Sequence, residues 1–122
     1  MRTCWVLDHP AHVRLLAPFI RSGTTSDVLI ATDRVEVRQL LESSEGVLPK
    51  RQHLWVERPI GAKRARLAWK RMRNVRRFLK EAQRSGGRFD RIVAVGAPLE
   101  LRVAKRLKIS KRWYITDTEV NH

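Results

Sequence analysis

The feature that most restricts what this chain can fold into is an alternation of short apolar runs with longer amphipathic segments. A run of about five residues with little polar alternation suits a strand covered on both faces, and such strands belong to parallel sheets flanked by helices. Thr3–Leu7 is the first run, and residues 27–32, with Val28, Leu29, Ile30 and Ala31, form the second. Residues 53–57 make a weaker third, ended by Pro59; Arg91–Val95 is the fourth and residues 113–116 the fifth. Between them, apolar residues recur at helical spacing. Leu15, Leu16, Phe19 and Ile20 follow Ala11 and stop at Ser22-Gly23; Val37, Leu40 and Leu41 follow a capping Asp33 and run to Gly46. The longest segment, residues 61–84, carries a stripe of Ala65, Ala68, Trp69, Met72, Val75, Leu79 and Ala82 before Ser85-Gly86-Gly87. A last helix, carrying Leu99, Val103, Ala104 and Leu107, follows the turn at Gly96-Ala97-Pro98. This pattern predicts an α/β fold: a Rossmann-like open parallel five-stranded sheet, order 3-2-1-4-5, with helices on both faces.

At 122 residues the chain has the size of one domain, expected to span 1–122. Its hydrophobic fraction of 43% is that of a globular protein. No apolar run approaches the roughly 18 residues of a membrane span, and Asp8 arrives before a signal-peptide core could develop. The expectation is a cytoplasmic protein. Cys4 is the single cysteine, which excludes an internal disulfide and reads as a buried structural thiol.

Open parallel sheets bind ligands beyond the carboxyl ends of their strands, at the point where the strand order reverses. That rule selects the loop after the first strand, Asp8-His9-Pro10-Ala11-His12, and the loop after the fourth, Gly96-Ala97-Pro98. Asp117, Thr118 and Glu119 follow the fifth strand. Asp8 can cap the helix that begins at Pro10 or contact a substrate, and the two roles are compatible. His9 and His12, three residues apart on a helix, share a face; beside a carboxylate they suit acid–base work better than metal binding, which needs a third ligand. Asp8, His9 and His12 are therefore the catalytic candidates, and Gly96, Ala97, Asp117, Thr118 and Glu119 the substrate-binding ones. His53, near the opposite end of its strand, reads as structural. Neither a Gly-x-Gly-x-x-Gly fingerprint nor a Walker loop is present, so no dinucleotide cofactor is expected; with His9 and His12 lacking a third ligand, no metal is expected either.

The first strand running into Asp8-His9-Pro10-Ala11-His12 resembles the opening of an uncharacterised prokaryotic family related to GT-B enzymes, whose members begin with a strand and an Asp-x-Pro-x-His loop. The closing Asp117-Thr118-Glu119-Val120-Asn121-His122 is similar to the Asp-Thr-Glu and His-Ala with which that family ends its first domain. Gly96-Ala97-Pro98 is similar to its His-Gly-Ser-Pro loop, with Val95 and Ala97 in place of the polar members. The resemblance implies the amino-terminal half of a fold like that of UDP-N-acetylglucosamine 2-epimerase and bacterial glycosyltransferases. There, two Rossmann-like domains face each other across a cleft and the second holds most nucleotide-sugar contacts. It further implies that Asp8, His9, His12, Asp117 and Glu119 line this domain's wall. The substrate would be a UDP-sugar, bound only once a second Rossmann-like domain or subunit completes the cleft. This domain alone would hold no cofactor and be inactive.

Charge is distributed unevenly. The formal net charge is +14, yet residues 1–60 carry 8 Lys/Arg against 7 Asp/Glu, whereas residues 61–122 carry 18 against 5. Most of the excess lies on the 61–84 helix, where Glu81 alone opposes ten cations. The face that includes Arg66, Lys70, Arg73, Arg77 and Lys80 is either a solvated exterior or a surface for an anionic partner. An anionic membrane leaflet, attracting each cation by about 1 kcal/mol, would present a lipid-linked acceptor and place the chain peripherally at the inner membrane face. Nucleic acid is the less favoured partner, because Trp69 belongs to the apolar stripe and is expected to pack inward. The alternative to an enzyme domain is a non-catalytic basic α/β module that binds membrane or nucleic acid.

Overall fold

The first strand, β1 (Thr3–Leu7), lies at the centre of a parallel sheet between β2 (Val28–Thr32) and β4 (Arg91–Val95), with β3 (Gln52–Val56) outside β2. The architecture is taken from a computed structural model describing residues 2–42, 51–57, 61–95, 103, 105, 107, 109 and 111–115. The order 3-2-1-4 and the α/β class agree with the pattern of the sequence. The backbone of Lys111–Ile115, labelled β5, runs parallel beside β4, with Lys111 opposite Arg91 and Ile115 opposite Val95. The Gly96-Ala97-Pro98 turn and residues 117–119 lie outside the described residues.

Side chains alternate across β1, β2 and residues 92–94 of β4, and both sets are buried. Cys4 and Val6, with Val28, Ile30, Ile92 and Ala94, meet Val75, Leu79 and Ala82 of helix α3 (Arg64–Gly86) on one face. Trp5 and Leu7, with Leu29, Ala31 and Val93, meet Val13, Leu16, Ala17 and Ile20 of α1 (Pro10–Arg21) and Val37 of α2 (Val35–Glu42) on the other. Two-sided burial is why these strands read as unbroken apolar runs. The crossovers β1–α1–β2 and β2–α2–β3 step outward, while β3–α3–β4 steps back across the sheet. One handedness for all three puts α3 opposite α1 and α2. β3 pairs on one side with β2, and its Gln52 and His53 are exposed, which explains its weak signal.

Several local expectations are corrected. Asp8 does not cap α1; His9 does, its Nδ1 accepting from Ala11 N at 3.1 Å. Asp33 does not cap α2 through its side chain, which instead accepts from Arg38 Nε at 2.6 Å and Nη2 at 3.0 Å. That hydrogen-bonded guanidinium holds the Asp33 carboxyl below its ordinary range. Leu15 and Phe19 belong to the helical spacing of α1 but face solvent, 51% and 59% exposed.

The largest correction concerns α3. Its 23 residues span about 35 Å, whereas a five-residue strand spans about 17 Å. The helix therefore overhangs the sheet at its amino-terminal end, past the carboxyl ends of the strands. Val75, Leu79 and Ala82 are buried on the sheet, but Ala65 is exposed and Trp69 is 63% exposed. Where the helix leaves the sheet, the buried position is taken by Arg71. No helix among the described residues is long and apolar enough to cross a membrane.

The opposite edge of the sheet is closed by two buried charged groups. Arg2 donates from Nε to Ser26 O at 2.7 Å, from Nη1 to Ala82 O at 2.8 Å, and from Nη1 to Gly87 O. Its guanidinium also covers Phe89, 4.3 Å from the ring centroid. A cation answering the last carbonyls of α3 suits the negative end of the helix dipole. Asp27, 1% exposed, accepts from Thr3 N, Thr24 Oγ1 and Trp5 Nε1 at 2.9, 3.0 and 3.2 Å.

Replacing Arg2 by Ala strands these carbonyls and should cost about 2–4 kcal/mol in urea unfolding. Gly86→Ala should also destabilise, because its Cβ would lie 2.8 Å from Arg2 Nη2. Asp33 is a different case. A carboxyl lowered in the folded state adds stability above its unfolded pKa of about 4 and loses it as pH falls through the folded value. The pair is exposed and worth little, so the small difference in midpoint between the wild type and Asp33→Asn should disappear on acidification.

Candidate functional site

Three strand ends and one helix converge at the carboxyl edge of the sheet on a single carboxylate. Asp8 directly follows β1; it accepts a hydrogen bond from Thr32 Oγ1 at the end of β2. Arg34 Nη2 and Arg71 Nη1 each lie 3.9 Å from its oxygens. Arg71 reaches across from α3 and also donates to Glu57 O, just past β3, at 3.4 Å. Its side chain is 4% exposed and that of Asp8 20%. Burying a guanidinium is costly unless a carboxylate is near, so Asp8 has a structural task in addition to any chemical one.

Among the described residues, Arg34 and Arg71 both turn toward Asp8. Arg34 Nε is buried with no hydrogen-bond acceptor among the described residues. A cavity of ≈ 120 Å³ opens beside Arg71 between β3 and α3, lined also by Trp55, Glu57, Lys70 and Asn74. The unmatched donor suits an anionic group at the edge.

The turn from β1 into α1 brings Asp8, His9 and His12 together, with the two imidazole centroids 5.7 Å apart. They do not share an accessible face. His9 is exposed, while His12 is 4% exposed on the inner side of α1. Because His9 Nδ1 accepts from the Ala11 amide, the neutral ring carries its proton on Nε2, and that edge is the one free to donate to a ligand. Among the described residues, no three His, Cys, Asp or Glu side chains gather as a metal ion would need. Gly96, Ala97, Asp117, Thr118 and Glu119 lie outside the described residues.

Arg34, Arg71 and Thr32 are the members of this site that motif reading missed. For Arg71 a signal existed. It falls three residues after Ala68 and four before Val75, on the core-facing line of α3, where a cation needs a partner. The surrounding run of cations concealed it.

Comparison with family models, curated proteins and solved structures returned no match for the chain.

Asp8→Asn keeps an acceptor for Thr32 but removes the charge that answers Arg71. It should cost about 1–3 kcal/mol, read from urea unfolding. Combined with Arg71→Met, the loss should be clearly smaller than the sum of the two single losses, because the second substitution removes the stranded charge.

Proposed function

We propose that this chain is the amino-terminal, acceptor- or catalytic-side domain of a GT-B-like nucleotide-sugar enzyme, either a glycosyltransferase or a sugar-nucleotide epimerase. It is built on a Rossmann-like sheet of five strands, and a second Rossmann-like domain or subunit supplies the UDP-sugar site. The observation that carries this reading is the placement of Asp8, His9, Arg34 and Arg71 at the carboxyl edge of a parallel sheet. Strand order reverses between β1 and β4, where open sheets of this kind hold their ligands.

Within that reading, the residues divide the work. His9 is exposed, its cap to Ala11 sets the ring's orientation, and the neutral ring offers Nε2–H as a hydrogen-bond donor to substrate. Asp8 is anchored by Thr32 and holds the two guanidinium groups. Arg34 and Arg71 supply positive potential for the phosphate of a sugar nucleotide or of an acceptor. His12, buried behind His9, positions the turn rather than meeting substrate.

The test is turnover of UDP-sugars by the chain co-purified with a second Rossmann-like domain supplied in trans. His9→Ala should lower kcat by about 100-fold, while the urea midpoint falls only by the loss of one helix cap. Unchanged turnover in His9→Ala would refute the site assignment.

A further inference from the structure

The side of α3 that faces away from the sheet carries a line of cations running along the helix and out onto its overhang. Arg66, Arg73, Arg77, Lys80 and Arg84, at steps of seven, four, three and four, form one line along the exposed side of the helix. The line extends about 27 Å, and Glu81 beside it is the one acid on the helix. At the end that projects past the sheet, a surface hollow of ≈ 460 Å³ is lined by Lys63, Arg66, Leu67, Trp69, Lys70 and Arg73. Every polar side chain in that lining is a cation. The Trp69 ring is 63% exposed, with the Arg73 guanidinium 5.6 Å from its centroid.

We propose that this ridge and the overhang at its end dock single-stranded nucleic acid, with Trp69 stacking on a base and Arg66, Arg73 and Arg77 meeting phosphates. Cationic grooves with an aromatic platform are how proteins hold single strands, because every base has a stacking face. The ridge is mostly arginine, whose planar fork binds phosphate in a bidentate manner and stacks on rings. A duplex offers the same phosphates but keeps its bases stacked away from Trp69.

A membrane surface fits less well. Helices that lie on bilayers insert an apolar face beside their cations, but Val75, Leu79 and Ala82 of α3 are buried on the sheet, and only Ala65 and Trp69 of its stripe are exposed on the overhang. The other large exposed apolar side chains, Leu15 and Phe19 of α1 and Val35 of α2, project from helices on the opposite side of the sheet. A bilayer that touched the ridge would meet one aromatic ring.

The test is fluorescence anisotropy of the full chain with a labelled single strand of roughly 12 nucleotides, within the usual site sizes, titrated at several salt concentrations. Parallel arms use the matching duplex, inorganic polyphosphate and vesicles of phosphatidylglycerol with phosphatidylcholine. The single strand should bind more tightly than the duplex or the polyphosphate. Trp69→Ala should weaken it about 5- to 100-fold, and Trp69→Phe should restore most of the loss. Arg73→Gln and Arg77→Gln should each lower the slope of log K against log salt by about 0.7. All four substitutions are at exposed positions, so the melting temperature should hold. Polyphosphate binding as tightly as the oligonucleotide, with Trp69→Ala altering neither, would overturn the proposal. So would a preference for vesicles, or no oligonucleotide binding at low salt. None of these outcomes depends on UDP-sugar turnover.

Discussion

Parallel strands cannot be joined by tight turns; each return to the starting edge needs a crossover, and here the crossovers seen are helices. That requirement governs the rest of the molecule. It covers both faces of β1, β2 and β4, so those strands contain little but apolar residues. It also gathers the strand-to-helix turns on one edge, where backbone groups and side chains are free to meet a ligand. α3 is about twice as long as the strands it covers. The surplus turns leave the sheet at that same edge, and the molecule acquires a second exposed surface next to the first.

The two edges are built differently. At the amino ends of the strands, Arg2 and Asp27 are saturated: Arg2 reaches three carbonyls and a ring, and Asp27 takes three donors. At the carboxyl ends, Asp8 is shared between two guanidinium groups held at 3.9 Å, and Arg34 Nε is buried without an acceptor among the described residues. Saturated polar groups hold a fold together, while unsaturated ones at an open edge are available for binding. The asymmetry matches the rule that places ligands at the carboxyl edge, although the rule rests on topology and the asymmetry on hydrogen bonds.

Much of the fold was legible because two-sided burial leaves a plain mark: β1, β2 and β4 could be read from composition alone. The edge position of β3 diluted that mark with Gln52 and His53. Helical periodicity reports which side of a helix is apolar, but not how much of the helix lies on a sheet. For that reason Trp69 was placed inside and is found outside. The turn carrying Asp8, His9 and His12 was visible as polar residues after an apolar strand. Which of them caps the helix, and which is buried, depends on neighbours distant in sequence: Thr32, Arg34 and Arg71. Arg71 was hidden in plain view, one cation among many whose burial follows from the level at which α3 crosses the end of the sheet.

The central position of β1 has a consequence for synthesis. Thr3 pairs with Arg91, and Arg91 Nε donates to Thr3 Oγ1 across 88 positions of chain. At a ribosomal rate of roughly 5–20 residues per second, the first strand emerges about 4–18 s before the strand that covers its second edge. For that interval the nascent chain carries a bare, largely apolar strand edge, the kind of surface that pairs with whatever comes near. The order of translation therefore runs against the order of assembly, and newly made chains should depend on chaperones even though the finished domain is small.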